Sequence, residues 1–182
     1  SIVALQPDLV VVDREENRKE DAEALSEQGI TVCDLHVVSV HDVSREMQRL
    51  SDLVGGPTLE LGERVEQEQR SIAFVPIWRR PWMTISEKTY GASLLRCLGI
   101  QVFQPVSPDA YPTLSDDDLA GLGAQMVLLP TEPYVFSERH IAEVQERTGI
   151  SDVRIIDGKD LFWWGVRTNE ALTRLGKDLA RL

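Results

Sequence analysis

Leu9-Val10-Val11-Val12, followed by DREENRKEDAEALSEQG from Asp13 to Gly29, decides the fold. The apolar run, three of its four residues β-branched, suits a strand. The charged, alanine-bearing segment that ends at Gly29 suits a helix closed by a glycine cap. A second apolar run from Ile30 to about Val37 completes strand, helix, strand, the unit that builds a parallel sheet. Val43, Met47, Leu50, Leu53 and Val54 then repeat at helical spacing until Gly55-Gly56-Pro57 breaks the pattern. Leu59 to Gln69, short and mostly polar, reads as a helical connector.

Beyond it the alternation resumes. Strands are expected over Ser71 to Ile77, near Val102, over Gln125 to Leu129 and over Val153 to Ile156. Helices are expected over Thr89 to Leu98, Ser115 to Leu122, Ser137 to Arg147 and Thr168 to Leu182. The expected class is therefore α/β with parallel sheets. Residues 1–54 form the remaining part of a first lobe, 55–70 a helical connector and 71–182 a second lobe. Ile2 and Leu5 read as the last turn of a helix that begins upstream, which makes the first lobe incomplete.

With 182 residues and 42% hydrophobic content the chain can bury a core. A formal net charge of −11 disfavours nucleic acid and anionic membrane surfaces, so a small molecule or another protein is the expected partner. Cys33 and Cys97 form no CxxC motif and read as buried thiols. No GxGxxG, P-loop, GxSxG or HExxH pattern occurs, which leaves phosphate-cradling, nucleophile-elbow and zincin chemistry without its residues. Cys33, His36 and His41 match no zinc spacing, and no metal ligands or cofactor are expected. His140, in a charged segment, reads as a surface residue, and Arg79 and Arg80 as solvated loop charges.

All the aromatic residues lie between Phe74 and Trp164, most of them just after a strand. Trp78 and Trp82 follow the first strand of the second lobe; Tyr134 and Phe136 follow another; Phe162, Trp163 and Trp164 follow RIID; Tyr111 precedes a helix. Ligands of open parallel α/β sheets bind outside the carboxyl ends of the strands, so these loops are expected to converge on one aromatic rim. Such faces hold flat ligands by area and stacking, with Arg167 able to add a cation–π contact or pair with a ligand carboxylate. A single tryptophan after a strand is more often core than ligand wall; four on two such loops favour the wall.

LQPDLVVVDREENRKEDAEAL, FVPIWRRPWMTISEKTYGASLLRCLG, YPTLSDDDLAGLGAQMVLLPTEPYVF and RIIDGKDLFWWGVRTNEAL, in that order, resemble segments of the helical-backbone (class III) substrate-binding proteins. These serve ABC importers of cobalamin, haem and iron-siderophores. The resemblance spans nearly the whole chain. It implies two Rossmann-like lobes clamping a metal chelate with little hinge motion, a monomer, and an extracytoplasmic location as a periplasmic or membrane-anchored protein. The chelate is cargo, with a corrinoid expected first and haem or a ferric siderophore next.

By position the resemblance assigns ligand contacts to Trp78, Trp82, Tyr111, Trp163, Trp164 and Arg167, with Glu16 and Asn17 beside Glu15 in the first lobe. It assigns docking on the permease to Asp117, where the family usually has Glu. Ser115 to Asp118 also reads, independently, as an N-cap with acids in the first helical turn. The family's spanning helix is longer than Leu59 to Gln69, which at about 1.5 Å per residue reaches only about 16 Å. Two other readings are a doubly wound enzyme acting on a nucleotide or sugar through Asp157 or Asp160, and an interaction domain with a sealed rim.

Overall fold

The computed structural model describes residues 1–57 and 65–180. The chain divides into two compact units, Ser1–Val37 with Asp42–Glu60, and Leu61–Leu182 with Val38–His41.

In the first unit Ile2–Leu5 is a single 3-10 turn, and β1 (Leu9–Asp13) pairs in parallel with β2 (Thr31–Leu35) across the intervening α1 (Lys19–Glu27). Alternation along β2 sends Cys33 and Leu35 inward, and α1 contributes Leu25 to the same interior. Gly29, at φ 79°, makes the left-handed turn that returns the chain from α1 to β2. The segment with apolar residues at helical spacing is α2 (Val40–Val54). An ion network joins α2 to β2: Asp34 accepts from Arg14 Nε at 2.9 Å and from Arg49 Nη2 at 2.9 Å. These two guanidinium groups hold the Asp34 carboxyl below the usual carboxylate range.

The second unit is built on a parallel four-stranded sheet in the order β6-β3-β8-β9. Its strands are β3 (Ser71–Phe74), β6 (Ile100–Val102), β8 (Met126–Pro130) and β9 (Val153–Ile156), with the small strands β4 (Pro76–Trp78), β5 (Trp82–Thr84) and β7 (Thr113–Leu114) forming a separate antiparallel sheet. The helices are α3 (Tyr90–Arg96), α4 (Asp116–Ala120), α5 (Ile141–Thr148), α6 (Gly158–Phe162) and α7 (Thr168–Leu179). β8, flanked on both edges and apolar throughout, is buried along its whole length, as parallel strands covered on both faces are. Around it Phe74, Trp82, Leu114, Leu119, Leu122, Val127, Leu129, Phe136 and Val144 form one core cluster. Full burial of each such side chain stabilises the unit by about 1.5–3 kcal/mol.

Several elements differ from expectation. The strand expected over Ser71 to Ile77 stops at Phe74, because Pro76 has no N–H to continue a ladder; β4 instead forms the edge of the antiparallel sheet. The helix expected from Ser137 begins as a 3-10 turn, Glu138–His140, and becomes α-helical only at Ile141. β5, β7 and α6 are too short to carry a periodic signal and were not expected. Of the expected connector, residues 58–64 lie outside the described residues, and 55–57 and 65–70 are not helical. Cys33 and Cys97 are both buried and free. Among the described residues no helix is long and apolar enough to cross a membrane.

Candidate functional site

The carboxyl ends of β3, β8 and β9 lie side by side, so the loops that leave them share one edge of the second unit. IWRRPWM is the first of these. It is a β-hairpin and not an open loop, with β4 and β5 antiparallel and the turn at Arg79, Arg80 and Pro81. The pleat sets its aromatics apart. Trp78 is 44% exposed, whereas Trp82, expected to be displayed beside it, is 7% exposed and stacks on Phe136 at 6.2 Å within the core cluster. Trp82 therefore anchors the hairpin that presents Trp78.

The loop after β8 supplies the support. Tyr134 meets Trp78 edge-to-face, with ring centroids 5.6 Å apart and planes at 79°. His140 is buried, contrary to its expected place on the surface. Ser137 N–H donates to His140 Nδ1 at 3.0 Å in a capping arrangement that turns the ring inward, 5.6 Å from Tyr134 and 5.5 Å from Phe136. Arg79 is also not a solvated charge: its Nε donates to Glu143 Oε1 at 3.2 Å, and both side chains are largely covered. That bond, followed by one to Tyr134, raises the guanidinium pKa above its ordinary value despite partial burial. Tyr134, His140 and the Arg79–Glu143 pair thus belong to this wall. The recurrence of aromatics after LLP pointed to Tyr134, but the surrounding charges concealed His140.

The loop after β9 is held by charge. Asp157 caps α6, accepting from Lys159 N–H at 2.8 Å. Asp160 is 2% exposed and accepts from Arg174 Nε and Nη2, each at 2.7 Å, and from Arg167 Nη2 at 2.8 Å. Arg174 first and Arg167 next hold its carboxyl below the usual range, against the opposing effect of burial. Tyr90 hydroxyl shares a 3.0 Å hydrogen bond with Thr168 Oγ1 at the start of α7, and its own burial pushes its pKa up to about 12. On this base Trp163 stands 53% exposed, with Lys159 Nζ 5.4 Å and Arg167 Cζ 5.8 Å from its ring centroid. The loops after β8 and β9 touch at backbone level: a Cβ on Gly158 would fall 2.4 Å from Glu132 N, so only glycine fits.

Of the other expected residues, Tyr111 is 38% exposed just before β7, and Trp164 is half-buried next to Trp163. Contacts run from Trp78 to Tyr134 and from Gly158 to Glu132, linking the hairpin, the middle loop and the tryptophan loop into one rim. Glu16 and Asn17 lie in the first unit, in the exposed turn after β1, where Asn17 Oδ1 accepts from Asp13 N–H at 2.9 Å. On α4, Asp116 pairs with Arg147 at 2.7 Å, and Asp118 accepts from Ser115 N–H at 2.8 Å in a capping box. Asp117 is exposed and, among the described residues, has neither a hydrogen bond nor an ion pair on its side chain. Among the described residues no group of three or more His, Cys, Asp or Glu converges as metal ligands.

No protein-family model matches the chain, and no curated protein matches it by sequence. Solved structures do match in fold. The periplasmic vitamin B12 binding protein BtuF of Vibrio cholerae superposes with a TM-score of 0.73 at 17% identity, over 98% of this chain and 76% of that one. A periplasmic haem-binding protein from Pseudomonas aeruginosa gives 0.74 at 16% identity, over 97% and 73%. Staphylococcus aureus IsdE, complexed with haem, gives 0.71 at 12%, over 97% and 78%. The chain thus has the α/β fold, with parallel sheets and helices, of periplasmic binding proteins.

Proposed function

We propose that this protein is the substrate-binding component of an ABC importer and captures a metal chelate on the carboxyl-edge rim of its second unit. One observation carries the reading: Trp78, Tyr111 and Trp163 are 44%, 38% and 53% exposed in the loops at that edge. Large aromatic surface held open to water by a rigid support is the signature of a stacking platform for a flat ligand. The fold is shared with proteins whose names say that they bind vitamin B12 or haem, which supports a corrinoid, haem or ferric siderophore as the cargo. Binding would proceed by burial of ring surface, with Trp164 and Arg167 at one flank and no bond made or broken. Trp82 would contribute from beneath, by fixing Trp78. Glu16 and Asn17 enter only through the sequence resemblance. Asp117, the unengaged acid of α4, is the candidate contact for arginines of a permease, and delivery to a permease implies an extracytoplasmic location. An enzyme acting through Asp157 or Asp160 is not favoured, since the first caps a helix and the second is occupied by two arginines.

The test is a tryptophan-fluorescence titration of the chain with cyanocobalamin, haemin and a ferric hydroxamate. Saturable quenching by at least one is expected, weakened about tenfold by Trp78→Ala, the loss of one stacking partner. Absence of quenching by all three refutes the reading. Asp117→Asn should leave the titration unchanged.

A further inference from the structure

We infer that Arg147 and Asp116 are positioning residues for Trp78, acting through Glu143 and Arg79, so that the acidic turn of α4 is coupled to the hairpin wall of the rim. The coupling is a property of the fold; its meaning for cargo rests on the importer reading above. Four charges stand in series between the two places. Asp116 Oδ1 accepts from Arg147 Nη1 at 2.7 Å. Arg147 in turn brings Nε to 3.6 Å from Oε1 of Glu143, four residues back on α5. The same oxygen accepts from Arg79 Nε at 3.2 Å. Arg79 lies in the hairpin turn next to Trp78, and its guanidinium also bonds Tyr134, whose ring meets Trp78 at 5.6 Å. The inner pair, Arg79 and Glu143, is largely covered, whereas Asp116 is 78% exposed on its side chain. A charge arriving from solvent therefore meets the Asp116 end first.

Glu143 Oε1 is the point of competition, because two guanidinium groups address it. While Asp116 holds Arg147 at 2.7 Å, the longer approach of Arg147 to Glu143 leaves that oxygen mainly to Arg79. Once the Asp116 charge is neutralised, Glu143 is the remaining ion-pair partner of Arg147 among the described residues. Arg147 then draws Glu143 away from Arg79, and the turn that carries Trp78 loses part of its hold. Asp117 takes no part in the series, since its exposed side chain has neither a hydrogen bond nor an ion pair among the described residues. The two adjacent acids therefore differ in role: Asp117 is open to a cationic partner, and Asp116 transmits the arrival of one. An arginine that reaches Asp117 and also neutralises Asp116 would loosen Trp78, so that docking and the release of a stacked ring are linked by an exchange of ion pairs. Ion pairs as open as Arg147–Asp116 contribute little each, which makes the expected effect small and its pattern across variants decisive.

The experiment is fluorine NMR of the whole chain labelled with 5-fluorotryptophan at its 4 tryptophans, the Trp78 resonance being assigned by Trp78→Phe. Asp116→Asn should move the Trp78 resonance towards its position in the urea-unfolded chain and leave that of Trp163 in place. Asp117→Asn, which removes the same charge one residue further on, should move neither. Adding Arg147→Gln to Asp116→Asn should return the Trp78 resonance to its original position, because the competitor for Glu143 is gone; a merely local effect on α4 would not be rescued in this way. In the titrations with cyanocobalamin, haemin and the ferric hydroxamate, Asp116→Asn should weaken binding about twofold. An unmoved Trp78 resonance in Asp116→Asn, an equal movement in Asp117→Asn, or failure of the double variant to restore the signal would overturn the inference while the importer reading stood. The expected pattern of resonances in a chain that binds none of the three cargoes would support the coupling and refute the importer reading alone.

Discussion

The two tryptophan loops of the second unit present the same side chain by different physics. In the β4–β5 hairpin Trp78 is braced by Tyr134, and the hairpin is fixed by a buried tryptophan stacked on Phe136. In the loop after β9 Trp163 is braced by cations, and the loop is fixed by a buried carboxylate gripped by two arginines. The Trp82–Phe136 stack carries no titrating group and no charge for salt to screen, whereas the Asp160 anchor depends on ionisation and on screening. The difference predicts that the two indoles, both exposed in the native fold, part company in acid.

The largest effect should come from the apolar anchor. Trp82→Ala removes a core side chain and should cost about 3–5 kcal/mol in denaturant unfolding, whereas Trp163→Ala, at an exposed site, should cost less than about 1 kcal/mol. Comparable losses would mean that the hairpin is not held from beneath. Next comes the ionic anchor: Asp160→Asn should cost about 2–3 kcal/mol, because it leaves charges facing a neutral amide.

Asp160 has a folded-state pKa below that of the unfolded chain, about 3.9. Its contribution is therefore present above that value and lost as pH falls through the lower folded one. Acrylamide quenching of Trp163, isolated by Trp→Phe changes elsewhere, should rise in this range before that of Trp78; a simultaneous rise would erase the contrast.

Tyr90→Phe, which removes the hydroxyl bond to the start of α7, should cost about 1 kcal/mol. Because its folded pKa is raised to about 12, the stability it lends is intact below about 10 and lost as pH climbs towards 12. An alkaline unfolding curve that Tyr90→Phe does not shift would contradict this. The smallest effect belongs to the Arg79–Glu143 pair behind the hairpin: Glu143→Gln should cost at most about 1 kcal/mol, with a salt dependence that the tryptophan anchor lacks.

The alternation of strand and helix was legible because it is written in runs long enough to have a period, and the parallel sheets followed from it. The rim was legible in outline for the same reason, since aromatics recur after the runs ending in FVPI, LLP and RIID. Which tryptophan faces outward was not, for the hairpin depends on strands of three residues, Pro76–Trp78 and Trp82–Thr84, that show no alternation to read. His140 was misread because its neighbours Glu138 and Arg139 are exposed, while a capping bond to Ser137, invisible in composition, turns the ring under Tyr134. The engagement of Asp160 was not legible because Arg167 and Arg174, which occupy it, lie on or beside the next helix, at separations of 7 and 14 residues.

At Gly158 the backbones of two rim loops approach so closely that no side chain can intervene. The display groups at 159 and 163 are exposed and can be exchanged one at a time, whereas the spacing of the loops that carry them cannot be widened by single substitution without parting the contact. A lineage exploring new cargo from this scaffold would therefore be free to repaint the rim but obliged to keep its gauge.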